Sequence, residues 1–302
     1  AAGRLEAGDA VEARDGRRIA VVVSAMAGET DRLLGLAEAI GGGLGEPETD
    51  AALAAGEQAA AALMALALKA EGLSAASMLS WQIPIHVDGA PGAAKVTGIE
   101  ADGLSAMLAD GVIPVVAGFQ GVDPEGRLRT LGRGGTDLTA AAVAAALQAE
   151  CDIYTDVDGV FTTDPHLAPE ARRLMRASHD EMLELAAMGA KVLQARSVEY
   201  AKAKGLVMRV KSSFLPAGSS GGTEIVPAER LAERRVVSGV AYQRDQARLS
   251  VHGLDPEAGG PAELFAALAE AGAGGDMIVQ ARSRAPADPA RPGRAGATVE
   301  FS

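Results

Sequence analysis

Aromatic residues are scarce, with Phe, Trp and Tyr together making up 3% of the 302 residues, so alanine dominates the apolar content. A single cysteine, Cys151, excludes an internal disulfide and a multi-cysteine metal site, and it suits a reducing compartment. Positive charge is short too: 28 Lys+Arg against 40 Asp+Glu leave a formal net charge of -12. That deficit argues against nucleic-acid binding, which needs a basic face. Of the 28 basic residues only six are lysines, so any lysine in a functional setting stands out. No apolar run reaches the roughly 18 residues of a bilayer span, so no membrane segment is expected. The opening AAGRLEAGDAVEARDGRR carries no apolar signal core. These features together predict a cytoplasmic protein. Its length predicts one large domain plus a smaller one.

What is present alternates between strand and helix. Ile19 to Ser24 (IAVVVS) is a short unbroken β-branched run, the pattern of a strand buried on both faces of a parallel sheet. Ile113–Ala117, Asp152–Thr155 and Leu206–Val210 read the same way. Helices are predicted over Thr30–Ile40, Glu57–Ala70, Thr136–Ala149 and Asp180–Met188. The fold class is therefore α/β. Residues 216–235, rich in glycine and bearing two prolines, read as a linker after a first domain over 1–215. Beyond it, 236–302 restart on a smaller scale. Strands are predicted over Val236–Tyr242 and Arg248–His252, a helix over Ala262–Ala271 and a strand over Asp276–Gln280, with a Pro/Arg-rich loop at 282–296.

Three glycine-bearing segments carry candidate chemistry. Gly132-Arg-Gly-Gly-Thr-Asp137 precedes a helix, where glycine N–H groups and the helix dipole favour an anion and Arg133 can grip a carboxylate with both arms. Thr136 and Asp137 are also good capping residues, so a plain capped turn is an equal reading of that segment alone. Asp156 and Asp158 follow a buried strand end, where ligands of open α/β sheets bind, although an Asp-Gly turn also accounts for them. Lys191 follows Met188-Gly-Ala and either complements a helix end or serves a site. The four histidines, His86, His166, His179 and His252, have no metal-ligand spacing and read mostly as surface or turn residues.

Taken together, these segments closely resemble the aspartate kinase family. The matching stretches are VVVSAMAGETDRL (21–33), GEQAAAALMALAL (56–68), SWQIPI (80–85), VVAGFQGVDPEGRLRTLGRGGTDLTA (115–140), CDIYTDVDGVFTTDPH (151–166), DEMLELAAMGAKVLQARSVEYA (180–201) and VKSSF (210–214). Later, SGVAYQRDQARLSVHGL and DMIVQ resemble the first of the family's two regulatory ACT modules.

The resemblance implies a three-layer αβα sandwich of the amino-acid-kinase type with a largely parallel sheet, followed by a partial ferredoxin-like ACT domain. It implies phosphoryl transfer from ATP, with Mg²⁺, to the side-chain carboxylate of L-aspartate. By the same resemblance Thr30, Glu57, Arg133, Gly134, Gly135 and Thr136 bind aspartate, with Glu57 facing its amino group. Ser24, Thr155, Asp156, Phe161, Thr162, Thr163, Asp164, Pro165 and His166 belong to the nucleotide side. Asp137 is the organising aspartate and Lys191 the lysine near the transferring phosphoryl group. Asp276, Met277 and Ile278 fall in the effector segment, with lysine or threonine as feedback effector and a homodimer or larger homo-oligomer as the assembly. The family also opens with a strand carrying Lys-Phe/Tyr-Gly-Gly. Here the first lysine is Lys69, and the sequence starts at what reads as the helix after that strand. A second ACT module is likewise outside the sequence. Two other readings are a non-catalytic relative that kept both pockets, and a sibling kinase acting on acetylglutamate or glutamate.

Overall fold

The computed structural model describes residues 16–190, 192–215, 221–231, 237–242, 249–254, 259–270, 278–283 and 296–301. The chain divides into two compact units, Ala1–Tyr242 and Gln243–Ser302.

In the first unit, β1 (Val21–Val23), β2 (Ala75–Met78) and β5 (Ile113–Ala117) form one parallel sheet in the order β1-β5-β2, with Val21 opposite Val115. All five residues of β5 are buried because helices cover both faces of the sheet. On one side α2 (Pro47–Ala70) lays Ala61, Met64, Ala65 and Leu68 against Val21, Val23 and Val115. On the other side α3 (Asp102–Ala109) and α4 (Gly135–Ala146) bring Leu104, Leu138 and Val143 to Val116. Helix α1 (Glu29–Ala39) runs beside α2. A second sheet, β8-β10-β11-β9, pairs β8 (Cys151–Thr155) with β10 (Met208–Ser212) in parallel and sets Thr155 opposite Ser212. Its other members are β11 (Thr223–Val226), antiparallel to β10, and β9 (Arg176–Ser178), parallel to β11. Ala141 and Ala144 of α4, Met182 and Leu185 of α5 (His179–Ala187) and Val198 and Ala201 of α6 (Ala195–Lys204) fill its core. The layered α/β arrangement matches the expected fold class.

A third sheet, β4-β3-β6-β7, was not foreseen: β3 (Ile85–Asp88), β4 (Lys95–Ile99), β6 (Gln120–Val122) and β7 (Leu128–Thr130) are mostly antiparallel and only three to five residues long. Strand β3 alternates buried and exposed positions and the others are too short or too polar to carry a period, which leaves little apolar signal per strand. Four further readings need correcting. The stretch expected to be a linker, 216–235, holds β11, which is mostly buried and paired on both sides in the second sheet. Helix α2 starts at Pro47, not Glu57, with proline in its first turn where the missing N–H costs nothing. Residues 237–242 form no strand; the Val240 N–H instead donates to Thr162 O at 2.7 Å, within the first unit. His179 is no surface residue: it is 3% exposed, and its Nε2 lies 2.8 Å from Leu206 O.

By length and composition α2 could cross a bilayer, with a window of mean hydropathy 1.5. Half of that window is buried, and the helix holds Asp50 and Glu57 inside the protein. The second unit has β12 (Leu249–Leu254), α7 (Gly260–Glu270), β13 (Ile278–Ser283) and β14 (Gly296–Phe301), with β14 antiparallel between the other two. Strand β12, helix α7 and strand β13 fall on the predicted Arg248–His252, Ala262–Ala271 and Asp276–Gln280, and β14 is a further strand.

Candidate active site

The parallel strands bring their carboxyl ends, and the loops beyond them, to one end of each sheet, where ligands of α/β folds bind. Past β1 the chain turns through Ser24 and Ala25 into α1, with Gly28 in the left-handed region at φ 79° as its N-cap. Half-buried Thr30 lies in the first turn of α1.

Glu57 meets this loop from α2. Its Oε1 accepts the Ala25 N–H at 3.0 Å, while Oε2 is buried with no hydrogen-bond partner among the described residues. Loss of water pushes its carboxyl up to about 7, against the opposing pull of the Ala25 N–H. The approach is close enough that a Cβ on neighbouring Gly56 would come 2.9 Å from that of Ala25. A buried carboxyl with one free oxygen fits an ammonium group entering the site.

The glycine segment closes the other side. Gly134, at φ 68°, is the N-cap of α4; no side chain caps that helix, and the Gly135 N–H turns back to Gly132 O at 2.9 Å, which leaves the next N–H groups, of Thr136 and Asp137, for a ligand. Arg133 is exposed beside it. Ser24 Oγ donates to Thr136 Oγ1 at 2.8 Å, joining the end of β1 to the start of α4. Asp137 has its carboxyl pushed up to about 6 by burial, opposed by a hydrogen bond from the Gln194 N–H. Ser24, Glu57, Thr136 and Asp137 thus gather around one loop cluster.

On the second sheet Thr155 ends β8, and its carbonyl accepts from both the N–H (2.8 Å) and the hydroxyl (2.9 Å) of Ser213. Its hydroxyl lies 3.2 Å from Asp156 Oδ1. Phe161 bridges to Arg173, and Thr162 exchanges two bonds with Arg172. Beyond the half-buried Thr163, Asp164 organises a turn, accepting the His166 N–H at 2.8 Å and the Tyr242 hydroxyl at 3.3 Å. Pro165 and His166 are exposed on it. Lys191, Asp276 and Met277 lie outside the described residues, and Ile278 begins β13.

Several supporting residues went unread in the sequence. Asp50, 1% exposed on α2, accepts from Thr130 N–H (2.9 Å), Thr130 Oγ1 (2.6 Å) and Gly92 N–H (3.1 Å), fixing the strand that leads into the glycine segment. A carboxylate inside an alanine-rich helix was its only signal. Phe119, between Gly118 and Gln120, sits at φ 68°, a strained region for an aromatic residue. Its N–H is held by Thr139 Oγ1 at 3.2 Å, and its ring covers Gly135 so closely that a Cβ there would meet it at 2.8 Å.

The chain is a member of the amino acid kinase family, which matches residues 7–212. It is 45% identical over 266 residues to an aspartokinase of Thermus thermophilus, covering 88% of this chain and 65% of the relative's length. Among solved structures, E. coli aspartokinase III in complex with aspartate and ADP, in its R-state, superimposes with a TM-score of 0.76 at 25% identity, over 99% of this chain and 75% of that one. The T-state of E. coli aspartokinase III, in complex with lysine and aspartate, gives 0.70 at 28% identity, over 91% and 60%.

Proposed function

We propose that this chain is the greater part of an aspartate kinase, transferring the γ-phosphoryl group of ATP to the side-chain carboxylate of L-aspartate to give 4-phospho-L-aspartate, first step toward lysine, threonine and methionine. The observation that carries this reading is the buried Glu57 with its free Oε2, set across from an uncapped helix start that bears Arg133. A cation acceptor facing an anion acceptor suits a zwitterionic amino acid, and the aspartate-bound E. coli relative supports the choice among such acids.

In this mechanism Glu57 takes the substrate ammonium, while Arg133 and the Gly134–Thr136 segment, through N–H groups such as that of Thr136, take its carboxylates. The side-chain carboxylate is already ionised at neutral pH, so no strong general base is needed. One of its oxygens forms the new O–P bond as the bond from the γ-phosphorus to the bridging oxygen breaks, and ADP leaves with that electron pair. The protein's work is to hold two anions together and offset charge on the phosphoryl oxygens. Ser24, Thr155, Asp156 and the Phe161–His166 turn hold the nucleotide, Asp137 orders the segment, and Lys191 meets the phosphoryl charge. Mg²⁺ carried in with ATP would neutralise phosphate charge, and few protein carboxylates would be needed to hold it, since phosphate and water oxygens would supply most ligands. Asp156, Asp158 and Asp164 are the acids at the nucleotide side with the right donor type to hold it.

The second unit is the regulatory part of this reading, with lysine or threonine as effector near Asp276, Met277 and Ile278. Lysine bound to the E. coli relative supports that assignment. A cytoplasmic homodimer or larger assembly completes it. The test traps aspartyl phosphate as its hydroxamate with MgATP, in this chain and in a version extended by a Lys-Phe/Tyr-Gly-Gly strand. Hydroxamate is expected from aspartate and not from glutamate or acetylglutamate, with the extended version faster. Failure of both versions to yield it from aspartate overturns the reading.

A further inference from the structure

The stretch that leads into α6 touches the glycine segment at three successive points. Arg196 reaches out of the first turn of α6, and its guanidinium donates to two main-chain carbonyls, those of Leu131 and, at 2.7 Å, Ala94. Ala94 in turn donates its N–H to Thr130 O at 3.1 Å, so the two carbonyls belong to adjoining stretches of backbone. Two residues earlier, Gln194 packs on Gly134 so tightly that a Cβ there would come 2.1 Å from its Cγ. Its N–H also bonds the Asp137 carboxyl. Gly132 is closed in as well, since a Cβ there would come 2.6 Å from Gly92 O. Leu131, Gly134 and Asp137 are therefore pinned every third residue by one short stretch of a different helix.

We propose that Arg196 is a positioning residue: it straps the backbone at the mouth of the glycine segment, so that Arg133–Thr136 keep one geometry relative to the helix that begins four residues after Lys191. This rests on the aspartate-binding role assigned to that segment under Proposed function. An arginine suits the task because its planar fork donates along two fixed directions at once, which a lysine cannot do. A charged donor to a buried carbonyl is also a strong tie. The strap is reached from the nucleotide-side core, because Val198 and Ala201 of the same helix are buried there. It ties the acceptor loop to the sheet that carries Thr155.

The test compares Arg196→Ala and Arg196→Lys with the parent 302-residue chain, using aspartate and ADP titrations and amide hydrogen exchange over residues 131–137. Arg196→Ala is expected to weaken aspartate binding about tenfold, to leave ADP affinity within about twofold, and to speed exchange across 131–137. Arg196→Lys, which keeps the charge and one donor direction, is expected to fall between, and it also serves if the alanine variant does not fold. In the strand-extended version Arg196→Ala should raise the aspartate KM more than it lowers kcat. Equal losses of aspartate and ADP affinity would make Arg196 a general structural tie and overturn the proposal, as would unchanged exchange over 131–137. Should the parent bind ADP and not aspartate, the functional reading fails, and the exchange comparison alone decides whether the strap exists.

Discussion

Ser24 and Thr136, 112 residues apart in sequence, share a hydroxyl–hydroxyl bond of 2.8 Å. The contact is possible only because Gly118 lies beneath it: a Cβ at that position would stand 2.7 Å from the Thr136 methyl group. The end of β1, the end of β5 and the start of α4 therefore meet at one point, and the candidate site is built around that junction.

Glu57 makes both binding and stability depend on pH. Its folded pKa of about 7 lies above the ordinary 4.5, so the folded protein holds a proton there that the unfolded chain releases. The neutral carboxyl costs nothing below pH 4.5; as pH rises from 4.5 to about 7 the group costs stability, up to about 3 kcal/mol. Glu57→Gln should therefore melt higher than the parent at pH 8 and close to it at pH 4.5, by calorimetry at both values. The same variant should lose aspartate binding. Parent affinity for aspartate should rise with pH through about 7, as the carboxyl ionises, and a flat profile would take Glu57 out of the ammonium site.

Arg133→Ala removes the cation from the acceptor loop without touching the glycines. Losing a charge-assisted pair desolvated on binding should cost about 2–4 kcal/mol. The expected result is a large rise in the aspartate KM with ATP affinity little changed; an unchanged aspartate KM excludes Arg133 from the site.

Lys191→Ala should act on the transition state. Steady-state kinetics should give a kcat reduced far more than ATP binding is weakened, because charge on the phosphoryl oxygens grows as the bond breaks. A kcat within a few-fold of the parent would make Lys191 a helix-end residue only.

Gly134→Ala has two faults in one methyl group. The backbone is at φ 68°, and the new Cβ would overlap Gln194. Left-handed strain alone costs about 1–2 kcal/mol, and the overlap forces Gln194 away from Asp137. Denaturant unfolding should report a loss of at least that size, with weakened aspartate binding in whatever remains folded.

Much of the framework was legible because it rests on local pattern. The runs at β1, β5 and β8 are short and rich in β-branched residues, and each becomes a strand within about two residues of its expected place. Glycine and arginine in GRGGTD offer an anion site by type, the role proposed for them above. The start of α2 was hidden because the alanine-rich turns before Glu57 have no polar face to mark a period. Asp50, Phe119, Gln194 and Arg196 were hidden for another reason. Their partners lie far along the chain: Asp50 and Arg196 hold backbone groups of Thr130, Leu131 and Ala94, and Gln194 and Phe119 pack on Gly134 and Gly135, partners that residue type does not reveal.

Helix α4 is a party wall between two cores. Leu138 and Val143 face one of them, and Ala141 and Ala144 face the other. Alanines on the second side give a thin partition with no slack, since a methyl group cannot change rotamer to absorb a shift. Swelling the nucleotide-side core, as Ala144→Leu would, must therefore move the whole partition rather than one side of it. The displacement emerges at the amino end of α4, where Thr136 meets Ser24, so a substitution that touches neither substrate should still be felt at the acceptor loop.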